Sequence, residues 1–193
     1  GVLYVNLKQF DKALIVFLQA CELVERDNIT IERVCDLANL YASISLMFLK
    51  LGQFDNALEQ ANRAITKLRV YLPDVHDKIA VVQKIIGDIF LERGDYVEAL
   101  NNYNKVIVSP VFNVVGFLHA NIARAYAGLN EKSQAEEHFR LAVTYSKETR
   151  ELPQVYQMLS SFYESQGRFD LALDKMQLAL KAEYQLMNRI DQG

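Results

Sequence analysis

A short signature recurs along the chain: a turn residue, an aromatic two positions later, then an alanine three positions after that. It reads Gly52-Gln53-Phe54-Asp55-Asn56-Ala57, then Gly94-Asp95-Tyr96-Val97-Glu98-Ala99, then Gly167-Arg168-Phe169-Asp170-Leu171-Ala172. An early copy is Lys8-Gln9-Phe10-Asp11-Lys12-Ala13, and a worn one is Asn130-Glu131-Lys132-Ser133-Gln134-Ala135. The marker alanines Ala13, Ala57, Ala99, Ala135 and Ala172 are separated by 44, 42, 36 and 37 residues. Steps of this size suit one helix–turn–helix unit per repeat, stacked on its neighbours. The longer early steps predict longer helices or connections in the first half.

The segments between markers are helical by pattern. Leu40, Tyr41, Ile44, Phe48 and Leu51 recur at three- and four-residue steps, as do Val82, Ile85, Ile86, Ile89 and Phe90. Leu118, Ile122, Ala125, Tyr126 and Leu129 repeat the spacing, and so do Tyr156, Leu159, Phe162 and Tyr163. Each set makes one apolar helix stripe. A second helix follows each marker, and no stretch alternates with period two long enough for a sheet. The turn Gly, or Asn130 in the worn copy, supplies the left-handed residue that a tight helix–helix connection needs. Asp55, Asp95 and Asp170 stand at the starts of second helices, where they can cap N–H groups or meet the positive helix end.

The Gly–x–aromatic–x–x–Ala core resembles the tetratricopeptide repeat family over nearly the whole chain. The likeness extends to the small residue seven before the turn (Ser45, Gly87, Ala123, Ser160) and the aromatic four before it (Phe48, Phe90, Tyr126, Tyr163). The chain has no Trp, so the family's early Trp is missing. Tyr41 and Tyr156 stand there instead, and Gln83 and His119 depart further. The closing Pro is mostly absent, Pro110 being nearest. The resemblance implies an all-α solenoid of antiparallel helix pairs, about five repeats over approximately 1–28, 30–72, 75–109, 112–148 and 151–191. The expected organisation is a single domain spanning 1–193, with the first repeat truncated.

Apolar residues make up 51% of the chain, enough for a continuous core, and the net charge of −3 favours neither nucleic acid nor an anionic membrane. No apolar run reaches membrane-spanning length, so no membrane insertion is expected. The chain opens without Met, in what reads as mid-helix, and is expected to be a fragment of a longer protein. The helix from Phe169 is predicted to run to about Ile190, with Met176, Leu180, Met187 and Ile190 continuing an apolar stripe interrupted by Glu183. It reads as a capping helix or as a connector to a further domain.

Cys21 and Cys35 flank a predicted turn at Asn28. Packed helix axes lie about 8–10 Å apart, beyond the roughly 7 Å reach of a disulfide, so two reduced thiols are expected. His76 falls in a connection, His119 in a first-helix stripe and His138 in a second helix. No pair of them has metal-ligand spacing. No phosphate loop, nucleophile elbow or catalytic triad is legible. No enzyme activity, cofactor or metal is expected.

In tetratricopeptide arrays the first helices line a concave groove. The resemblance places Val81, Lys84, Asp88, Phe117, Asn121, Arg124, Gln157 and Met158 there, with Asn39, Ser43, Leu46, Ile85, Leu91, Ala120, Gln154 and Ser161 beside them. Lys84, Asn121, Arg124 and Gln157 can bond peptide backbone or carboxylates, and Val81 with Phe117 starts an apolar row. A family subset grips chaperone C-terminal carboxylates with a Lys–Asn–Asn–Lys–Arg set. Lys84 and Asn121 fit two of its places, but Asp88 stands where an Asn is needed and would repel a carboxylate. Gln154 and Met158 replace the last Lys and Arg, so a chaperone-tail adaptor is not expected.

The expected function is a non-catalytic module binding a peptide or helix of a partner protein in the groove. An alternative is the sensory or regulatory region of a bacterial signalling protein, ahead of a kinase or diguanylate cyclase output domain, or of a peptide-responsive regulator. A third is a subunit of a larger assembly, with exposed terminal helices, including apolar Val2, Leu3 and Val5, open to homodimer formation.

Overall fold

The computed structural model describes residues 10–25, 30–74, 76–107 and 115–190. Val2, Leu3, Val5, Asn28 and Pro110 lie outside the described residues. The described chain is all-α. Its helices are α1 (Phe10–Glu25), α2 (Ile31–Lys50), α3 (Phe54–Arg69), α4 (Asp77–Arg93), α5 (Tyr96–Ile107), α6 (Val115–Gly128), α7 (Lys132–Ser146), α8 (Leu152–Ser165) and α9 (Phe169–Ile190). They pair as antiparallel hairpins α2/α3, α4/α5, α6/α7 and α8/α9, the α-solenoid class that the repeat predicts. The chain divides into two compact units, 1–112 and 113–193. The uneven repeat steps have a plain cause: α2 and α4 are 20 and 17 residues long, whereas α6 and α8 have 14 each.

All four hairpin turns use one device. Gly52, Gly94 and Gly167 have φ of 70°, 92° and 71°, and Asn130 has φ 61°. The residue after each then donates its N–H to the carbonyl of the aromatic at the end of the first helix. These bonds are Gln53 to Phe48 (2.9 Å), Asp95 to Phe90 (2.9 Å), Glu131 to Tyr126 (2.9 Å) and Arg168 to Tyr163 (3.0 Å). They satisfy carbonyls that a helix end leaves unpaired. The acidic residues after the turns act differently from one another. Asp95 is engaged by the Arg93 guanidinium, and Asp55 lies in the first turn of α3, 3.5 Å from Arg93 Nη1.

In the first unit, Ala57, Ala61 and Ala64 of α3 are fully buried between Leu37, Tyr41 and Ile44 of α2 and Val82, Ile86 and Ile89 of α4. The alanines let the helices come close, and each large side chain buried there contributes roughly 1.5–3 kcal/mol. In the second unit, Phe139 of α7 fills the place of Ala61, meeting the Phe162 ring of α8 at 5.2 Å between centroids. Cys21 is buried, Cys35 half-buried, and they form no disulfide. His76 caps α4, its Nδ1 accepting the Lys78 N–H at 3.2 Å.

Two further registers recur inside the hairpins. Ser45 donates its hydroxyl to the Ala57 carbonyl at 2.8 Å, and Ser160 does the same to Ala172 at 2.7 Å. The small residue before the turn thus ties the first helix to the marker alanine of the second. At the place of the family's Trp, Gln83 donates to the side-chain oxygen of Asn102, nineteen residues on. His119 meets His138 at the same separation, with Nδ1 to Nδ1 at 3.0 Å.

Candidate binding face

Each unit presents its own part of the expected face. On α4 of the first unit, Val81 is exposed, 46% of its surface open. One turn along, Lys84 Nζ donates to Asp88 Oδ2 at 2.6 Å, and Asp88 Oδ1 accepts the Tyr103 hydroxyl at 2.8 Å. The ammonium therefore meets a carboxylate at i,i+4 spacing, and Asp88 is also tied to α5. A half-exposed pair of this kind is worth about 0–1 kcal/mol. Its larger effect is to offset the positive charge that Lys84 would otherwise show a ligand. Ile85 and Leu91 are buried in the core, while Leu46 of α2 is partly exposed. Ser43 spends its hydroxyl on the Asn39 carbonyl at 2.8 Å.

On α6 of the second unit, Phe117, Asn121 and Arg124 are each half-buried at four- and three-residue steps, so they share one face of the helix. Ala120 between them is fully buried. Gln157 and Met158 of α8 are also half-buried. Phe117 and Met158 pack against the core of this unit while part of each stays open. Gln157 donates Nε2–H to Glu183 Oε1 on α9 at 3.1 Å. That bond accounts for the polar residue that interrupts the apolar stripe of α9, and it commits one of the groove's expected donors to a neighbouring helix.

Sequence patterning did not show three features of these units. His119 and His138 sit together, His119 lying flat on Tyr145 (5.4 Å, 7° between planes) and His138 beside Tyr126. Burial, and then the neighbouring His138, push His119 down from 6.5 to about 4. Burial also lowers His138, with Glu137 acting against it. One ring donates its Nδ1–H and the other accepts. Second, a cleft of about 690 Å³ opens over α7, α8 and α9, lined by Glu136, Glu137, Arg140, Tyr156, Tyr163 and Lys175 among others. Third, one of about 560 Å³ lies along α2 and α3, lined by Tyr41, Glu59, Asn62, Arg63, Thr66 and Lys67. None of the eight expected groove residues lines either cleft. The Lys84–Asp88 pair and the Ser43–Asn39 bond follow local i,i+4 spacing, whereas the contacts of Asp88 with Tyr103, Gln157 with Glu183 and His119 with His138 join separate helices.

Among the described residues no group of three or more His, Cys, Asp or Glu side chains could hold a metal ion. No described helix is long and apolar enough to cross a membrane.

A family profile for the tetratricopeptide repeat matches residues 1–25 and 118–149. Together with the four hairpins built on one turn device, this match supports a tetratricopeptide repeat assignment. Among solved structures, BtubC from P. vanneervenii covers 95% of this chain at a TM-score of 0.75 and 17% identity, over 77% of its own length. A thermophilic tetratricopeptide protein of Thermus thermophilus covers 94% at a TM-score of 0.72 and 20% identity, over 87% of its own length. The apo form of RapI covers 94% at a TM-score of 0.69 and 18% identity, over 51% of its own length. These likenesses concern the fold. A sequence relative, uncharacterized protein ycf37 of Guillardia theta, is 31% identical over 113 residues, 58% of this chain and 56% of that protein. The chain thus spans little more than half of this relative's length.

Proposed function

We propose that this tetratricopeptide chain is a non-catalytic interaction module that binds a peptide or amphipathic helix of a partner protein on its first-helix face. The carrying observation is the face of α6, where half-buried Phe117 lies in line with Asn121 and Arg124. An apolar anchor beside an amide and a guanidinium is what an extended peptide needs. The ring supplies affinity, and the polar pair fixes backbone or carboxylate register. Val81 on α4 and Met158 on α8 extend the apolar content within their own units. The Lys84–Asp88 pair leaves that part of α4 close to neutral, which disfavours an acidic chaperone tail there. The test is partner capture by the wild-type chain and by an Asn121→Ala/Arg124→Ala variant. Loss of captured partners supports the reading, and full retention of every partner rejects the α6 face.

A second reading, the sensory region of a bacterial signalling protein, draws on the length of α9, 22 residues against 16, 12 and 15 in α3, α5 and α7. Peptide binding would then move α9. Small-angle scattering with and without a captured peptide tests it, and an unchanged radius of gyration counts against it.

A further inference from the structure

The cleft of about 690 Å³ in the second unit lies away from the first-helix face. Its α8 residues are Tyr156, Leu159 and Tyr163. At 100° per residue these fall within an arc of about 60°, and Gln154, Gln157, Met158 and Ser161 stand on the opposite side of the helix. From α7 come Arg140, Val143, Thr144 and Lys147, and from α9 Lys175 and Leu178. A cleft of this size, part apolar and part polar, is of the kind that takes a ligand.

The charges of its lining are not equally available. Glu136 is held by the Arg168 guanidinium, which also lies over the Tyr163 ring at 4.7 Å. Lys175 Nζ is 2.7 Å from Asp174 Oδ2. Arg140 and Lys147 are exposed, and neither is paired with a carboxylate among the described residues. Glu137 is the other carboxylate of the lining. It stands ten residues before Lys147, about 15 Å along the helix. The end of the cleft towards Lys147 is therefore cationic, with half-buried Tyr156 and Val143 as its apolar neighbours in the lining.

The cleft of the first unit differs on this point. It too holds a tyrosine from the family's Trp position, Tyr41, but Arg63 pairs with Glu59 at 2.8 Å and Lys67 is also engaged. Only the second unit's cleft offers unpaired cations, and their spacing selects a ligand. Arg140 and Lys147 are seven residues apart, about 10.5 Å along the α7 axis. In a polyproline-II segment, residues three apart lie on the same side, about 9.3 Å from one another. Two carboxylates at that spacing would meet the two cations, within the reach of long side chains. The prolines between and beside them suit aromatic surface, as in other grooves that take this conformation.

We infer that the cleft over α7, α8 and α9 binds an acidic polyproline-II segment of a partner protein, its carboxylates on Arg140 and Lys147 and its prolines against Tyr156 and Val143. Fluorescence anisotropy of the labelled peptide Pro-Glu-Pro-Pro-Glu-Pro, titrated with the 193-residue chain, tests it. Saturable binding is expected, weakening as salt screens the ion pairs. In an Arg140→Gln/Lys147→Gln variant the affinity is expected to fall about tenfold. The counterpart peptide Pro-Gln-Pro-Pro-Gln-Pro is expected to lose about as much against the wild-type chain. Both substituted positions are exposed, and unchanged far-UV circular dichroism checks that the fold is kept.

A wild-type chain that binds the Glu peptide no better than the Gln peptide overturns the inference. An Arg140→Gln/Lys147→Gln variant that binds the Glu peptide as well as wild type overturns it too. So does loss of the peptide in the Asn121→Ala/Arg124→Ala variant, which would seat it on the α6 face instead. The α6 and α7 variants change separate surfaces, so this inference and the proposed function fail separately.

Discussion

The four hairpins fall into two kinds, and each unit holds one of each. In α2/α3 and α8/α9, the Trp position of the family holds Tyr41 and Tyr156, and the small residue before the turn is Ser45 or Ser160, bonded to the marker carbonyl. In α4/α5 and α6/α7, the Trp position holds Gln83 and His119, each paired with a polar residue nineteen further on, and the small residue is Gly87 or Ala123. Buried polar groups need partners, and the hairpins satisfy this in alternative places. A hydroxyl ties the helices near the turn in one kind, and a side-chain pair ties them further from it in the other. The departures from the family's Trp are therefore matched by changes across the hairpin.

The comparison breaks most sharply at Gly87. A Cβ there would lie 2.6 Å from the Tyr103 ring, which is fully buried and bonded to Asp88. Importing the residue of the other kind, Gly87→Ser, is expected to cost about 3 kcal/mol by overpacking, despite the gain of leaving glycine in a helix. Urea unfolding measures it. Adding Tyr103→Leu removes the ring and should make the double change cost less than the sum of its parts. A Gly87→Ser chain as stable as wild type would show that this hairpin has room for the hydroxyl.

The histidine pair gives the next effect. The folded pKa of His119 is about 4, against 6.5 for the free side chain. Between these values the unfolded chain binds a proton that the folded chain refuses. Stability is thus full above pH 6.5, falls on acidification, and levels off below about 4. The lowered His138 acts in the same sense, with Glu137 opposing it; uncharged Tyr126 lies beside His138 and uncharged Tyr145 beside His119. The His119 shift corresponds to a loss of about 3 kcal/mol. Gln83 and Asn102 carry no titrating group, so the other pair of this kind has no such slope. Transplanting it as His119→Gln/His138→Asn should keep stability near wild type at pH 7 and flatten the acid limb. Denaturant melts from pH 7 to 4 decide it, and an unchanged slope in the variant would locate the acid sensitivity elsewhere.

Much of this was legible in the chain. The signature at Gly52, Gly94, Asn130 and Gly167 implied the turns, the hairpins and the left-handed residues, because that conformation has few residues to choose from. The end of α9 near Ile190 followed from its apolar periodicity. Contacts between helices were not legible. His119 and His138 looked unrelated because their neighbourhood depends on the hairpin register, and Ile85, Leu91 and Ala120 looked like groove residues until packing showed them buried. The face of α6 was readable only through family resemblance, since the 3.6-residue period separates inside from outside but not one solvent face from another.

The smallest effect concerns the other kind of hairpin. Ser45 and Ser160 are 0% and 5% exposed, and each donates one hydroxyl to a carbonyl that already accepts a helical bond. Ser→Ala at either position removes the donor but leaves that carbonyl paired, so no buried group is stranded. The cost is then the net value of one hydrogen bond, about 1 kcal/mol, partly offset by the better helix propensity of alanine. Asn102→Ala in α4/α5 differs because it leaves the Gln83 amide buried without Asn102, at roughly 1–3 kcal/mol. The ordering tests the comparison more strictly than either value. If Ser45→Ala proves costlier than Asn102→Ala under the same denaturant series, then the hydroxyl near the turn, and not the side-chain pair, is the stronger tie between repeat helices.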